Sequence, residues 1–575
     1  MDNEQNKQVA SKHYRIMRKT FTVLFLLIYQ LTLGQEVINL PPSQDLLIRQ
    51  LIESTQTESK RRVAGRLLYS SVVIQNFYQD RNFEFAWSNG QKLYEIAYEM
   101  RYEIQQAKFD GLNPFDYHLD AINTLFGQLE NQQKSGVAPD PLALASADIL
   151  LSDAYILLSS HLYLGKVDPE SLKTSWNIQR NAPELKIDQR LSDALANGSI
   201  RKSLEELYPQ LSIYKLMRDG LRETYDFEQK ARQSNNNSWK PLKADKSIKV
   251  GDSHAAILEI RQRLQFWGFL KEAYPVDNER VYDSLLVPAV MRIQLRFGME
   301  ADGVIGQGTL HALNQSPEAL VQIAAVNLER LRWLPHQIKE QELIVVNTAN
   351  FQLDYLVNRD TLLSSRVIVG KSYHSTPQFN AEMSYLVFSP TWTVPASITR
   401  NEIIPAIKRN NNYLQEKNMK VLTSSGAVID PSTIDWSKVN PRNFPYVIRQ
   451  DPGQQNSLGL VKFMFPNKYS VYIHDTPSRS LFAREDRALS HGCIRIQKPF
   501  EFAKILLAHD ESWTDDRIRL AMNQSTERTV TLNRKIPVVI LYLTYWANSR
   551  GEYFFRRDIY NRDQEIWTAL REVRS

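Results

Sequence analysis

The spacing of apolar residues changes character twice along the chain. Over about Gln35–Arg232 it is helical: Tyr155, Leu158, Leu162 and Leu164 fall near a 3.6-residue period. Gly and Pro gather there only at breaks such as Asp110-Gly111-Leu112-Asn113-Pro114. Ser234-Asn235-Asn236-Asn237-Ser238 and the lysine-rich stretch to 248 read as a linker. A compact helical unit is predicted over 249–316. Ile257, Ile260, Leu264 and Trp267 make one apolar stripe, and Val287, Val290, Ile293 and Phe297 make a second that Gly298 ends. After the Asp302–Gly306 turn, Thr309 is expected to cap a short third helix through Leu313. Residues 317–342 read as a connecting helix. From about Leu343 the period becomes two. Residues 351–357 alternate, Asn358-Arg359-Asp360 turns, and 362–369 resumes the alternation to Gly370. Residues 461–465 and 470–474 form another predicted pair of strands, and the apolar run 536–546 a further strand. The stretch 396–460 breaks the rhythm with a predicted helix near 400–417 followed by a polar loop. A segment of that length inside a sheet domain is either a lid or disorder. Residues 549–575 read as a final strand and helix, and the whole is a multidomain α+β chain.

Composition narrows the class. At ~100–200 residues per domain, 575 residues imply roughly three to five domains. With 43% hydrophobic and 23% charged residues, neither wholesale disorder nor a polytopic membrane protein fits. The formal net charge is +6, and the first 34 residues supply half of it, so the remainder lacks the concentrated basic face of a nucleic-acid binder. In those 34 residues, Lys12, Arg15, Arg18 and Lys19 precede an apolar run from Phe21 to Leu33. That run is short of the ~20 residues of a membrane span and within the ~7–15 of a signal-peptide core. Residues 1–34 are therefore expected to be an export signal cut before Gln35, or an N-terminal anchor that would associate the chain with the inner membrane. No later stretch is expected to reach spanning length. The protein is placed outside the cytoplasm.

A single cysteine excludes a disulfide framework and focuses attention on Cys493. Its surroundings read Tyr472-Ile473-His474-Asp475-Thr476-Pro477 and then Ser490-His491-Gly492-Cys493-Ile494-Arg495-Ile496. A cysteine attacks as its thiolate and needs a base to draw off the proton, commonly an imidazole. Two histidines are close in sequence, His491 and His474. If Ile473 and Ile494 lie on adjacent strands, His474 and Cys493 emerge at neighbouring strand ends. Gly492 lets backbone approach a substrate and can present amides to an oxyanion. Arg495, two residues beyond the thiol, shares its strand face and can pair with a carboxylate. His118, His161, His254, His311, His336, His374 and His509 show no metal-ligand spacing, so neither metal nor cofactor is expected. Tyr78, Trp87 and Tyr117 could line a groove, although packing between helices is the simpler reading.

The pattern of His474, fifteen intervening residues and Ser490-His491-Gly492-Cys493 resembles the signature of the L,D-transpeptidase catalytic domain. The Ala301-Asp302-Gly303-Val304-Ile305-Gly306 turn with Thr309-Leu310 and Ala312-Leu313-Asn314 resembles a small three-helix peptidoglycan-binding domain. Together they resemble the large periplasmic branch of the family. The resemblance implies a helical scaffold domain (35–233), a linker (234–248), a peptidoglycan-binding domain (249–316) and a mainly-β catalytic domain (343–548) with a capping insertion (396–460). It implies Cys493 as nucleophile and His474 as base. The Asp475 carbonyl would orient the ring, and Gly492 and Tyr472 would serve the oxyanion. Arg495, Trp392 and His491 would lie on the substrate side, with base duty at His491 left open. The substrates implied are tetrapeptide stems of peptidoglycan as donor and acceptor. The competing readings are a zinc-dependent wall peptidase and a wall-binding scaffold without catalysis.

Overall fold

The computed structural model describes residues 44–53, 61–172, 176–178, 183–233, 239–271, 278–336, 338 and 341–572. The expected signal or anchor at 1–34 and residues 234–238 of the expected linker lie outside them. The chain divides into two compact units, one of residues up to Tyr98 with Asp120–Asp153, the other of Glu99–Leu119 with Ala154 onward.

The first unit is helical, with helices Gln44–Ile52 and Ser71–Asp80 among its elements. Tyr78 and Trp87 are fully buried there. The buried Asp148 carboxylate accepts from the backbone of Ala86 (2.9 Å) and Trp87 (2.8 Å) and from the Tyr78 hydroxyl (2.7 Å), while Trp87 Nε1 donates to Ser152 Oγ (2.9 Å). These aromatics are therefore core and line no groove. The 24-residue helix Pro141–Leu164 corrects one expectation, since it is long and apolar enough to cross a bilayer. Its apolar window is 89% buried inside the protein, and it carries the hydrogen-bonded Asp148 and Asp153, which makes it a core helix.

In the second unit, Tyr117 is likewise buried, hydrogen-bonded to His161 Nδ1 at 2.9 Å. The compact helical unit expected over 249–316 packs helices Ala256–Phe266, Val287–Arg296 and Gln307–Leu313 around Ile257, Ile260, Leu264, Val290, Ile293 and Leu313. Gln294 fastens the glycine turn: its amide donates to Asp302 and to the Val304 carbonyl, and its oxygen accepts from Gly303 N (2.9 Å). Gly303 sits at φ +71°, where a side chain is strained. Thr309 is not the helix cap expected of it. The helix begins at Gln307, and the buried Thr309 hydroxyl donates to Val304 O from inside the first turn. The connecting helix spans Pro317–Arg332.

Residues 342–541 hold a closed sheet of eight strands with a ninth on its edge. We label them β1 (Glu342–Asn347), β2 (Gln352–Val357), β3 (Asp360–Gly370), β4 (Phe379–Phe388), β5 (Val461–Met464), β6 (Ile473–His474), β7 (Ala488–Ser490), β8 (Ile494–Ile496) and β9 (Arg528–Leu541). Their order is β7-β3-β8-β6-β5-β4-β9-β1-β2, and β2 also pairs with β3 to close the ring. Helices Pro499–Leu507 and Asp515–Met522 pack on a continuous core that includes Phe463, Ile473, Ile494 and Phe502.

The insertion 396–460 is neither one helix nor a loop. Pro405 and the Asn410-Asn411-Asn412 run break the expected helix into a π-turn Thr399–Ile403, a helix Ile404–Arg409 and a turn Tyr413–Glu416. Four short strands (392–393, 447–450, 419–422 and 428–429, in that order) form a separate sheet over Val394, Ile403, Ile407, Leu414, Val421 and Ile448. The expected boundary at 548/549 falls inside a hairpin, because Tyr545–Ala547 pairs with Tyr553–Phe555. The segment after it ties back to the sheet: Tyr560 Oη donates to Gly370 O at 2.6 Å.

Candidate active site

Strand register builds the site. Ile473 and Ile494 are buried and directly paired across the parallel strands β6 and β8, and His474 pairs with Arg495. Because side chains alternate along a strand, Tyr472, His474, Cys493 and Arg495 all project from the opposite face. Tyr472 faces Cys493, with Ile494 N donating to Tyr472 O at 3.0 Å, so His474 is the diagonal neighbour of the thiol. The Tyr472 and His474 ring centroids are 5.6 Å apart. The half-buried Cys493 Sγ lies 3.7 Å from the Ser470 carbonyl and is hydrogen-bonded to the Tyr472 side chain.

His474 is buried, and its Nδ1–H donates to the Asp475 carbonyl at 2.5 Å, which leaves Nε2 as the proton acceptor. Burial and the charge of Arg495 push the imidazole down to about 3, although the carbonyls of Asp475 and Leu458 pull the other way. Burial pushes the Cys493 thiol up, against the opposing pull of Tyr472 and Arg495. At neutral pH the pair therefore rests as thiol and neutral imidazole, and the proton must move as the sulfur attacks. Burial and the neighbouring sulfur hold the Tyr472 phenol well above its usual value, so it stays a hydrogen-bond donor.

The turn before the nucleophile is stapled. Ser490 Oγ donates to Cys493 O (2.6 Å) and accepts from Gly492 N (3.1 Å), and Thr376 Oγ1 donates to Gly492 O (2.9 Å). Gly492 adopts φ +119°, a conformation only glycine takes readily. Its N–H is thus occupied by Ser490, which corrects its expected part in the oxyanion hole. Among the described residues the Cys493 N–H has no hydrogen-bond partner and remains available. The Asp475 carboxylate is fully engaged, accepting from Arg479 (2.6 Å), Thr476 N (2.7 Å) and Leu460 N (2.9 Å). A Cβ on Gly459 would meet that carboxylate at 2.4 Å, so glycine is required there.

Of the remaining candidates, Arg495 has a buried Nε with no hydrogen-bond partner among the described residues. His491 is turned outward to Glu402 of the insertion (Nε2 to Oε1, 2.5 Å), and its ring lies 5.7 Å from that of His374. Trp392 packs on the insertion's own apolar core, and no hydrogen bond or ring contact joins it to the thiol group among the described residues. Sequence reasoning missed Thr376, Glu402, Leu458 and Ser470. Only Ser470 lay near the motif, and nothing in the local pattern marked the others. Among the described residues no group of three or more His, Cys, Asp and Glu side chains gathers as a metal site.

Comparison with known proteins matches three family models: a scaffold domain over 73–221, a "Putative peptidoglycan binding domain" over 253–313 and an L,D-transpeptidase catalytic domain over 341–540. A curated relative, the "Putative L,D-transpeptidase" of Haemophilus influenzae, is 35% identical over 247 residues. The match covers 43% of this chain and 49% of the relative, so the chain spans about half the length of the curated relative it matches. Among solved structures, an L,D-transpeptidase of Xylanimonas cellulosilytica is 12% identical, covers 52% of this chain and 99% of its own, and has a TM-score of 0.16. One from Stackebrandtia nassauensis is 11% identical over 52% and 97%, with a TM-score of 0.20. Likeness at that level carries no structural argument.

Proposed function

We propose, from the premise that the chain carries an L,D-transpeptidase catalytic domain behind a scaffold and a peptidoglycan-binding domain, that it is a periplasmic cysteine acyltransferase joining peptidoglycan stems. The donor is a tetrapeptide stem. Cys493 Sγ attacks the carbonyl carbon of the third residue, a diaminopimelate, while its proton passes to His474 Nε2. The Cys493 N–H and the Tyr472 hydroxyl hold the oxyanion. Collapse breaks the amide bond, His474 returns the proton to the leaving amine, and D-alanine departs from a thioester. The amine of a second stem then attacks the thioester, cedes a proton through His474 and releases the sulfur, leaving a cross-link between third residues. Water or a free D-amino acid competes at that step. The insertion 396–460 acts as a lid that limits water. Arg495 holds a substrate carboxylate beside the nucleophile.

The observation that carries this reading is the shared face of Tyr472, His474, Cys493 and Arg495 on two paired strands. The test is intact-mass spectrometry of the purified chain incubated with tetrapeptide muropeptides. A covalent adduct on Cys493 with loss of D-alanine is expected. Turnover that survives thiol alkylation but fails with a chelator would favour a zinc peptidase, and binding to sacculi with no product would leave a scaffold.

A further inference from the structure

The insertion holds more positive charge than its own carboxylates can answer. Residues 396–460 carry eight Lys and Arg against five Asp and Glu, and each of the five is engaged. Glu402 meets His491, Glu416 accepts from Asn410, and Asp430 accepts from Ser432 N. Asp435 pairs with Lys438, and Asp451 with Lys420 and Arg449. Lys408 is also occupied, donating to the carbonyls of Ser437 and Val439. Four exposed cations remain that meet no carboxylate among the described residues: Arg409, whose Nε donates to the Pro405 carbonyl, Lys417, and the arginines Arg400 and Arg442, of which Arg400 donates its Nε to Asn401 Oδ1 at 3.2 Å.

These two arginines are not scattered. With Asn401, Asn440 and Pro441 they line an open cleft of about 550 Å³. One wall is the π-turn Thr399–Ile403, the other the 3-10 turn Pro441–Asn443, which packs against it. Asn440 Oδ1 accepts from Arg442 N at 3.0 Å and fixes the second wall, while the Lys408 contacts hold the chain just before it. The first wall leads to the chemistry: Glu402, two residues from Arg400, touches His491, itself two residues from Cys493. Paired guanidinium forks flanked by amides match the planar geometry of a carboxylate.

The geometry points to this cleft as a carboxylate subsite of the insertion, taking an acidic group of a peptide stem that extends from the active site. The identity of the ligand as a stem rests on the function proposed above. Arg400 and Arg442 grip the carboxylate, and Asn401 and Asn440 satisfy the groups beside it.

The test uses the full chain carrying Cys493→Ser, which binds without turning over. It is titrated calorimetrically with a tetrapeptide stem and with the same stem amidated at its carboxylates. A tenfold or greater loss of affinity on amidation is expected, and a similar loss from the Arg400→Gln/Arg442→Gln double variant. Arg400→Lys/Arg442→Lys, which keeps the charge without the fork, recovers part of it and separates recognition from misfolding. Equal affinity of acidic and amidated stems, or of the Gln variant and its parent, overturns the subsite. Repeating the titration on chain already acylated at Cys493 assigns the source: binding that persists there belongs to the acceptor stem, and binding lost there to the donor. Arginine-dependent binding in a chain that never forms a Cys493 adduct would sink the transpeptidase reading and leave the subsite standing. An adduct without carboxylate dependence would do the reverse.

Discussion

The closed sheet and the insertion meet at the same motif by different physical means. In the sheet, Ile473 and Ile494 are completely buried in one continuous core, so a slip of one residue would turn His474 and Cys493 inward. The insertion has a smaller core of its own and reaches the motif through polar contacts: Glu402 on His491, and the Leu458 carbonyl beside the His474 ring. The first arrangement fixes geometry. The second rests on a few polar contacts, one of them at the His474 ring itself, and its core shares no residue with that of the sheet.

The largest effect should come from the sheet. Cys493→Ala removes the only nucleophilic sulfur in the chain, and loss of such a group costs on the order of 10³-fold or more in turnover. D-alanine release should fall below detection while the melting temperature stays within a few degrees. Turnover retained in that variant would break the assignment of chemistry to the sheet. Next comes Gly370, at the end of β3. A Cβ there would sit 2.0 Å from the carbonyl of His374 and 2.9 Å from Thr376 N, both backbone atoms. Gly370→Ala should therefore displace the turn whose Thr376 hydroxyl holds Gly492. A destabilisation of ~1–3 kcal/mol, as for overpacking elsewhere, is expected in denaturant titration, together with slowed acylation.

Much of the sheet was legible from period-two patterning, because alternate burial on a closed sheet is what that pattern encodes. Tyr472, His474, Cys493 and Arg495 were legible for the same reason, through one strand pairing. The insertion was not. Its strands are two to four residues long, too short for a period to show, and its core joins Val394 to Ile448 across more than fifty positions. Gly492 was half legible: its backbone freedom was expected, but the Ser490 hydroxyl that occupies its N–H depends on a rotamer that sequence does not display.

The acid side sharpens the comparison through His474. Its folded value lies near 3 and the unfolded one near 6.5, so between those limits the unfolded chain binds one more proton. Stability therefore rises with pH across that window and is lost as pH falls from 6.5 toward 3. The slope from this group alone is at most ~1.4 kcal/mol per pH unit. His474→Gln should flatten that part of the stability curve in denaturant titrations at pH 4 to 7. Acylation in the parent chain should show no limb near pH 6.5, since the buried ring stays neutral well below it. A limb at 6.5 would mean that the base is solvated, and with it the sheet's claim to rigidity would fail.

The smallest effect belongs to the contact between the two regions. Glu402 and His491 are about half and a third exposed, and pairs of that kind contribute ~0.2–1 kcal/mol after screening by solvent. Glu402→Gln keeps the shape and a hydrogen bond but removes the charge facing His491 and Arg495. A roughly 1.5- to 5-fold rise in hydrolysis relative to aminolysis is expected, read from the ratio of free acid to cross-linked product, with D-alanine release unchanged. The direction matters more than the size. If the insertion is a lid held partly by this pair, loosening it admits water to the thioester without touching the sulfur or its base. A slower first step with an unchanged product ratio would instead make Glu402 part of the apparatus that forms the thioester, and the division of labour between sheet and insertion would dissolve.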